Sequence, residues 1–139
     1  MSYWLLKTEP DTYSWDTQVK RGAKGEPWTG VRNFTARSHL KEMKKGDRAF
    51  FYHTGEEKQV VGIVEVVRES YPDATDPKGV FVAVDVKALE PLPKPVTLAD
   101  IKAEPRLKEM ALVKYSRQSV QPVTAAEWKI VCHMGRKKS

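Results

Sequence analysis

The sequence predicts an α+β fold, in which a small curved sheet or barrel is flanked by helices. Strand-forming residues concentrate in the middle of the chain, and helix-capping signals occur on both sides of them. Strands and helices therefore do not alternate as they would in a doubly wound parallel sheet. With 139 residues and no repeat, low-complexity tract or long linker, we expect a single domain over residues 1–139.

The first part of the chain predicts one strand and two helices. Residues 3–7 are aromatic and aliphatic, and Thr8-Glu9-Pro10-Asp11 ends this opening strand. A short helix is expected from Ser14, its N-cap, to Arg21, and a flexible loop from Gly22 to Pro27. A second helix is expected to begin after Asn33 as its N-cap and to run to about Lys45.

Three strands with clear β composition follow, at Arg48 to His53, Val60 to Arg68 and Val80 to Leu89. The turn residues from Tyr71 to Gly79 indicate a loop between neighbouring antiparallel strands. Because proline has no N–H to donate, the proline-rich stretch from Glu90 to Pro95 is expected to end the sheet.

The last third of the chain predicts helices. Thr97 is expected to cap a helix that runs to Lys102, and a further short helix is expected to start at Pro105. Thr124 and Glu127 form a Thr-x-x-Glu capping box ahead of the terminal helix, which we expect to end before Gly135.

The charge of the chain indicates an anionic partner. Lysine and arginine number 24 against 18 aspartates and glutamates, a net charge of +6, and nucleic acid is the commonest partner of basic proteins. Three of these charges lie in Arg136-Lys137-Lys138, which we expect to be a frayed end. No signal peptide and no apolar run long enough to cross a bilayer is visible, so we expect a cytoplasmic protein with no membrane partner.

The sequence lacks the patterns of common catalytic and metal sites. The single cysteine, Cys132, lies among apolar residues of the terminal helical segment and is expected to be buried. No glycine-rich phosphate loop occurs, and the three histidines are not spaced as metal ligands. We therefore predict a non-catalytic protein with no cofactor and no metal.

Two alternatives stay open. One is an enzyme acting on a nucleotide or modified base, with His53 and a carboxylate such as Glu9 as proton carriers. The other is a small-metabolite or protein-interaction module whose positive charge is incidental.

Two polar segments carry groups suited to a planar ligand. Trp28-Thr29-Gly30-Val31-Arg32-Asn33 combines a ring that can stack, a flexible glycine, a cation, and an amide that can read the edge of a base. Tyr115 to Pro122 supplies similar groups far away in sequence. If the two segments converge in space, they form a base-sized pocket.

Several aromatic and basic side chains have two interpretations. Trp15 and Trp28 lie beside loops and are the candidate stacking rings, whereas Trp4 and Trp128 lie in apolar segments and are expected in the core. Tyr52-His53 at a strand end either packs inside or lines a pocket mouth. The two arginines of the polar segments, Arg32 and Arg117, either pair with a carboxylate or contact phosphate or a base.

The order of the longer motifs resembles that of EVE-domain proteins from Tyr3 to about Met134. The motifs are Tyr3-Trp4-Leu5-Leu6-Lys7-Thr8-Glu9-Pro10, Tyr13-Ser14-Trp15, Trp28-Thr29-Gly30-Val31-Arg32-Asn33, Gly46-Asp47, Phe51-Tyr52-His53, Tyr71-Pro72-Asp73, Ser119-Val120-Gln121-Pro122-Val123 and Glu127-Trp128. The resemblance implies a PUA-like fold related to YTH and ASCH domains, in which a small curved mixed sheet closes into a pseudo-barrel.

The resemblance also implies a non-catalytic module that captures a modified base of DNA or RNA. The expected partner is single-stranded or locally opened nucleic acid, because flipping a base out of a duplex costs free energy. An effector protein is expected to act downstream. The expected ligand-binding residues are Lys7, Trp15, Trp28, Gly30, Val31, Arg32, Asn33, Tyr52, His53, Arg117, Ser119 and Gln121.

Overall fold

The strands of this protein form one mixed sheet with short helices on both faces. The computed structural model describes residues 1–136. Its elements in chain order are β1 (Tyr3–Thr8), α1 (Trp15–Lys20), β2 (Glu26–Trp28), α2 (Phe34–Glu42), β3 (Arg48–His53), β4 (Gln59–Pro72), β5 (Val82–Thr97), α3 (Leu98–Ala103), a 3₁₀ turn (Pro105–Leu107), α4 (Ala111–Lys114), β6 (Val120–Val123) and α5 (Ala125–Arg136). No helix within residues 1–136 is long and apolar enough to span a bilayer.

The strand order is β2-β5-β4-β3-β1-β6. β3, β4 and β5 pair antiparallel, as predicted, whereas β1 pairs parallel to β3, with Tyr3 opposite Arg48. β2 and β6 are the two edges, and no hydrogen-bonded pairing closes the sheet within the described part of the chain. The predicted α+β class with a small mixed sheet is confirmed.

Alternation along the strands separates two hydrophobic clusters. Leu6 and Phe51 belong to a cluster that includes residues of α1 and α2, whereas Leu5 and Phe50 belong to one that includes residues of α3, α4 and α5. Successive side chains of a strand point to opposite faces, so the sheet lies between the two helical layers. The expected burial of Trp4 and Trp128 is confirmed, and so is that of Cys132.

The predicted helix starts are also confirmed. The side chains of Ser14, Asn33 and Thr97 accept hydrogen bonds from the backbone of α1, α2 and α3. Thr124 and Glu127 form the predicted reciprocal capping box at the start of α5. These signals were readable because each cap acts within one turn of its own helix.

The prediction that prolines end the sheet after Leu89 is wrong. β5 continues through this stretch and still pairs with β4 at its last residue, Thr97. Pro91 lies opposite Gly62 but Val96 opposite Val60, so Pro93 and Pro95 lie within a bulge of β5. Proline is tolerated there because the residues of a bulge need not donate to the ladder.

Other boundaries differ from prediction. The expected flexible loop from Gly22 to Pro27 contains the start of β2, which pairs with Val84–Val86 of β5. α2 ends at Glu42 rather than near Lys45, and β4 extends to Pro72. α5 continues past Gly135 to Arg136, while Lys137 and Lys138 lie outside the described residues.

Candidate functional site

A cavity of about 410 Å³ lies where the end of β1, the loop before α1 and the segment around β2 meet. Small-molecule sites in proteins have volumes of about 300–1,000 Å³, so the cavity can hold a ligand of that class. It is lined by Lys7, Thr8, Thr12, Tyr13, Glu26, Pro27, Trp28, Thr29, Gly30, Val31, Arg32 and Ser119. The two predicted polar segments thus do meet, although Ser119 is the only lining residue from the second one.

Trp28 belongs both to the wall of this cavity and to the core. Its side chain is only 8% exposed. The ring packs edge-on against Tyr13, with centroids 5.9 Å apart, and against Phe51, with centroids 5.7 Å apart. Because Tyr13 and Phe51 pack against the ring, only the part of the indole that faces the cavity is accessible to a ligand.

Trp15, the other candidate stacking ring, lies outside the cavity. Its indole packs edge-on against Phe51 at 5.3 Å and covers Gly62 so closely that a Cβ there would lie 2.5 Å from the ring. The ring therefore packs against the sheet as a core residue, which does not support the expected role in ligand binding.

The segment after Trp28 is held in place by Asp73. Gly30 adopts a φ of +84°, which favours glycine, and its N–H donates to Asp73 Oδ2 at 2.9 Å. Arg32 Nη1 donates to the same oxygen at 3.1 Å, and its Nη2 donates to Thr75 Oγ1 at 2.9 Å. Of the two interpretations of Arg32, the structure shows the ion pair with a carboxylate.

Asp73 is a buried acceptor for four hydrogen bonds. In addition to Gly30 and Arg32, the backbone N–H and the hydroxyl of Thr75 both donate to Asp73 Oδ1 at 2.7 Å. Burial alone would raise the pKa of Asp73, but the hydrogen bonds from Thr75, Gly30 and Arg32 outweigh it and lower this pKa to about 2. The carboxylate is therefore charged at neutral pH and fixes one side of the cavity.

The polar groups of the cavity offer both donors and acceptors. The Tyr13 hydroxyl donates to Gln18 Oε1 at 2.9 Å, and burial together with the nearby charge of Glu26 raises its pKa to about 12, so it stays protonated. The carboxylate of Glu26 lies 3.6 Å from Arg21 and is partly exposed. The hydroxyls of Thr12, Thr29 and Ser119 have no hydrogen-bond partner within residues 1–136.

Lys7 connects the cavity to the segment before β6. Its Nζ donates to the carbonyl oxygen of Ser116 at 2.8 Å, and its backbone N–H donates to Ser119 O at 2.9 Å. Burial lowers the pKa of this amine. The Nζ also lies 5.8 Å from the centre of the Tyr52 ring. Tyr52 itself is buried in the cluster under α5 and does not line the cavity.

Two other predicted site residues, His53 and Asn33, have structural partners instead of facing the cavity. His53 Nε2 accepts from the Trp15 N–H at 3.0 Å, so Nδ1 carries the proton that is donated to Glu57 at 2.8 Å. Asn33 Oδ1 accepts from the N–H of Ala36 at the start of α2.

Gln121 is fully buried, and its Nε2 donates to the carbonyl oxygen of Tyr115 at 2.7 Å. Arg117 is exposed, and in the described part of the chain it makes no hydrogen bond or ion pair. The two residues of the enzyme alternative, His53 and Glu9, also lie outside the cavity lining. No cluster of metal-ligating side chains occurs among residues 1–136.

Sequence reasoning missed five lining residues: Thr8, Thr12, Tyr13, Glu26 and Pro27. Tyr13 belongs to the Tyr13-Ser14-Trp15 motif, and Glu26-Pro27 directly precedes Trp28. The strand β2 was the missing signal, because its pairing with β5 places Glu26 and Trp28 together beside the end of β1.

Known proteins resemble this chain over its whole length. The sequence model of the EVE domain family matches residues 2–134 of this chain. A protein from Rhodopseudomonas palustris, whose structure was solved by NMR, is 63% identical with a TM-score of 0.92, over 97% of this chain and 93% of that one.

Human thymocyte nuclear protein 1 is 32% identical over 174 aligned residues, which cover 99% of this chain and 75% of that protein. Its crystal structure in complex with DNA containing 5-methylcytosine has a TM-score of 0.93, with 30% identity and complete coverage of both chains.

The YTH domain of the Zygosaccharomyces rouxii MRB1 protein, solved in complex with N6-methyladenosine RNA, shares the fold with a TM-score of 0.61. The two chains are 18% identical, over 99% of this chain and 86% of that one. The predicted resemblance in fold to YTH domains is thereby confirmed. The motifs, the fold and the matched residues agree: this chain belongs to the EVE-domain family.

Proposed function

We propose that this protein binds nucleic acid and holds one modified base in the cavity beside Trp28, without acting on it chemically. The observation that carries the proposal is the cavity itself, which combines an aromatic wall with unpaired hydroxyls and one carboxylate. Support comes from human thymocyte nuclear protein 1, a family member that was crystallised with DNA containing 5-methylcytosine.

The lining groups suggest how a base would be recognised. The accessible part of Trp28 and the apolar Val31 and Pro27 suit the face of a base and a methyl substituent on it. Glu26 can accept from an exocyclic amine, as acidic side chains do with cytosine N4. The free hydroxyls of Thr12 and Ser119 can donate or accept at the remaining edge.

The proposal favours a single strand or an opened base pair as the substrate. Extruding a base from a duplex costs a few kcal/mol, whereas stacking one base on an aromatic ring contributes about 1–3 kcal/mol. Phosphate contacts must supply further affinity. Arg117 is the exposed, unpaired cation closest in sequence to Ser119, and Arg32 already has Asp73 as its partner.

The test is a titration of the intact protein with short DNA and RNA oligomers. Each oligomer carries 5-methylcytosine, 5-hydroxymethylcytosine, N6-methyladenine or no modification, at two salt concentrations. We expect one modification to increase affinity by a factor that persists as salt rises, because base contacts release few counterions. If all oligomers bind equally well and salt abolishes this binding, a basic surface would explain it, and the proposal would be contradicted.

A matched pair of variants locates the binding to the cavity. Glu26→Gln removes the charge of the lining carboxylate without changing its shape, and we expect it to reduce the preference for the modified oligomer at least about tenfold. Glu65→Gln makes the same change in a carboxylate that lies 3.8 Å from Lys87 and outside the cavity. Equal effects of the two substitutions would count against recognition in the cavity.

Trp28→Ala is a less selective test. Since Trp28 belongs to the core cluster, its truncation is expected to cost about 3–5 kcal/mol of stability as well as binding. The cytoplasmic location, the effector partner and the single domain over residues 1–139 stay predictions.

A further inference from the structure

An exposed aromatic patch lies beside the cavity. Phe34, the first residue of α2, is 63% exposed, and the ring of Phe81 lies 5.2 Å from it. Val80 next to them is 38% exposed. A single exposed apolar side chain needs no explanation, whereas apolar side chains that lie together at the surface can mark a binding site. We call these three residues the aromatic patch.

Two arginines border the aromatic patch. The guanidinium carbon of Arg37 lies 5.1 Å from the centre of the Phe34 ring, and its Nη1 donates to the carbonyl oxygen of Val80 at 3.0 Å. The guanidinium carbon of Arg32 lies 5.7 Å from the centre of the Phe81 ring. Aromatic rings bordered by guanidinium groups match a strand that alternates flat bases with anionic phosphates.

The aromatic patch is continuous with the cavity. Arg32 lines the cavity and also contacts Phe81, which in turn contacts Phe34. Phe34 follows Arg32 by two residues, so their backbones are at most about 7 Å apart. Because Arg32 lines the cavity, a base next to the one held there can reach Phe34.

We propose that the aromatic patch is a second nucleic-acid contact, in which Phe34 stacks on a base next to the captured one and Arg37 contacts a phosphate. This inference rests on the proposed function. Stacking on Phe34 tolerates any base, because every base has a flat face. The cavity then selects the modified base, and the aromatic patch holds the strand beside it.

The experiment uses single-stranded oligomers with one 5-methylcytosine or one cytosine, each with 2-aminopurine on its 5′ or 3′ side. Phe34→Ala is expected to weaken binding of every oligomer at least about fivefold and to abolish the change in 2-aminopurine fluorescence. Phe34→Leu keeps an apolar side chain but loses the flat ring, so it should behave like Phe34→Ala. Phe34→Tyr should bind like the wild-type protein.

Two further variants complete the test. Val19→Ala truncates another side chain that is 50% exposed, on α1 and outside the aromatic patch, and it should leave binding unchanged. Arg37→Gln should reduce the slope of log affinity against log salt by about one, whereas Arg37→Lys should preserve it. Thermal unfolding of each variant checks that the fold is retained, since substitutions of exposed residues have small effects on stability.

The outcomes separate this inference from the proposed function. If the wild-type protein prefers the modified oligomers and Phe34→Ala lowers the affinity for every oligomer by the same factor, both the cavity proposal and the aromatic-patch proposal are supported. If wild-type protein shows no preference but Phe34→Ala still weakens binding, the aromatic patch binds nucleic acid and the cavity proposal fails. Unchanged affinity and fluorescence in Phe34→Ala would overturn the assignment of the aromatic patch as a nucleic-acid contact. The aromatic patch would then be a candidate surface for a protein partner.

Discussion

Replacing Asp73 by asparagine should destabilise the protein and loosen one wall of the cavity. All four groups that contact this carboxylate are donors: the N–H of Gly30, the guanidinium of Arg32, and the N–H and hydroxyl of Thr75. Asparagine keeps the shape of the side chain but replaces one acceptor oxygen with an NH₂ group. In either orientation of the amide, donors would therefore face donors.

The size of the effect follows from the pKa of Asp73. Folding lowers this pKa from an ordinary 3.8 to about 2. The shift corresponds to about 2.5 kcal/mol of stability at neutral pH, since each pKa unit is worth about 1.36 kcal/mol. Because the pKa is lower in the folded state, this stability is fully present above the pKa of the unfolded chain. It is lost as the pH falls from about 4 towards 2.

Urea unfolding of the wild-type protein and Asp73→Asn between pH 7 and pH 2.5 tests this reasoning. We expect the two free energies of unfolding to differ by about 2–3 kcal/mol at pH 7 and to converge at the acid end. Asp16→Asn, which changes an exposed carboxylate of α1, serves as the control. A difference below about 0.5 kcal/mol at pH 7, or one that does not vary with pH, would refute the argument.

Three further predictions concern the scaffold. Gly62→Ala should destabilise the protein by about 1–3 kcal/mol in urea unfolding, because its methyl group would overlap the ring of Trp15; an unchanged midpoint would mean that the ring can move aside. Thr124→Ala should cost about 1 kcal/mol and fray the start of α5 in amide exchange, since it removes the capping bond to the N–H of Glu127. Burial raises the pKa of the Cys132 thiol, so a thiol reagent at pH 8 should label it slowly in the folded protein and rapidly in urea; rapid labelling of the native state would contradict its burial.

The sequence predicted those parts of the fold that depend on near neighbours. The N-caps Ser14, Asn33 and Thr124 each act on a backbone group within three residues, so the local pattern contains the whole interaction. β2 was missed because three residues do not make a strand by themselves and depend on the distant β5. The continuation of β5 past Leu89 depends in the same way on a bulge opposite β4.

The candidate site was only partly predictable for a related reason. A sequence shows what a side chain can bind but not which partner it has in the fold. The amide of Gln121 bonds the backbone of Tyr115, and His53 bonds the backbone of Trp15. The lining residues that follow Trp28 in the chain were predicted because they belong to one polar segment, whereas Glu26 and Pro27, which precede it, were missed. Those from the loop before α1, such as Thr12, required the tertiary structure.

The pairing of Arg32 with Asp73 separates specificity from electrostatic attraction in the proposed complex. Breaking the Arg32–Asp73 pair to bind a phosphate would leave a buried carboxylate without its cation, which costs more free energy than an exposed contact returns. In the proposed complex, phosphate contacts therefore fall to cations outside the cavity lining, such as Arg117 and Arg37, while the cavity contacts the base through Trp28, its hydroxyls and Glu26. Salt should then weaken binding of modified and unmodified oligomers by the same factor, because these phosphate contacts are common to both. A preference that fell as salt rose would mean that Arg32 exchanges Asp73 for phosphate when the modified base is bound.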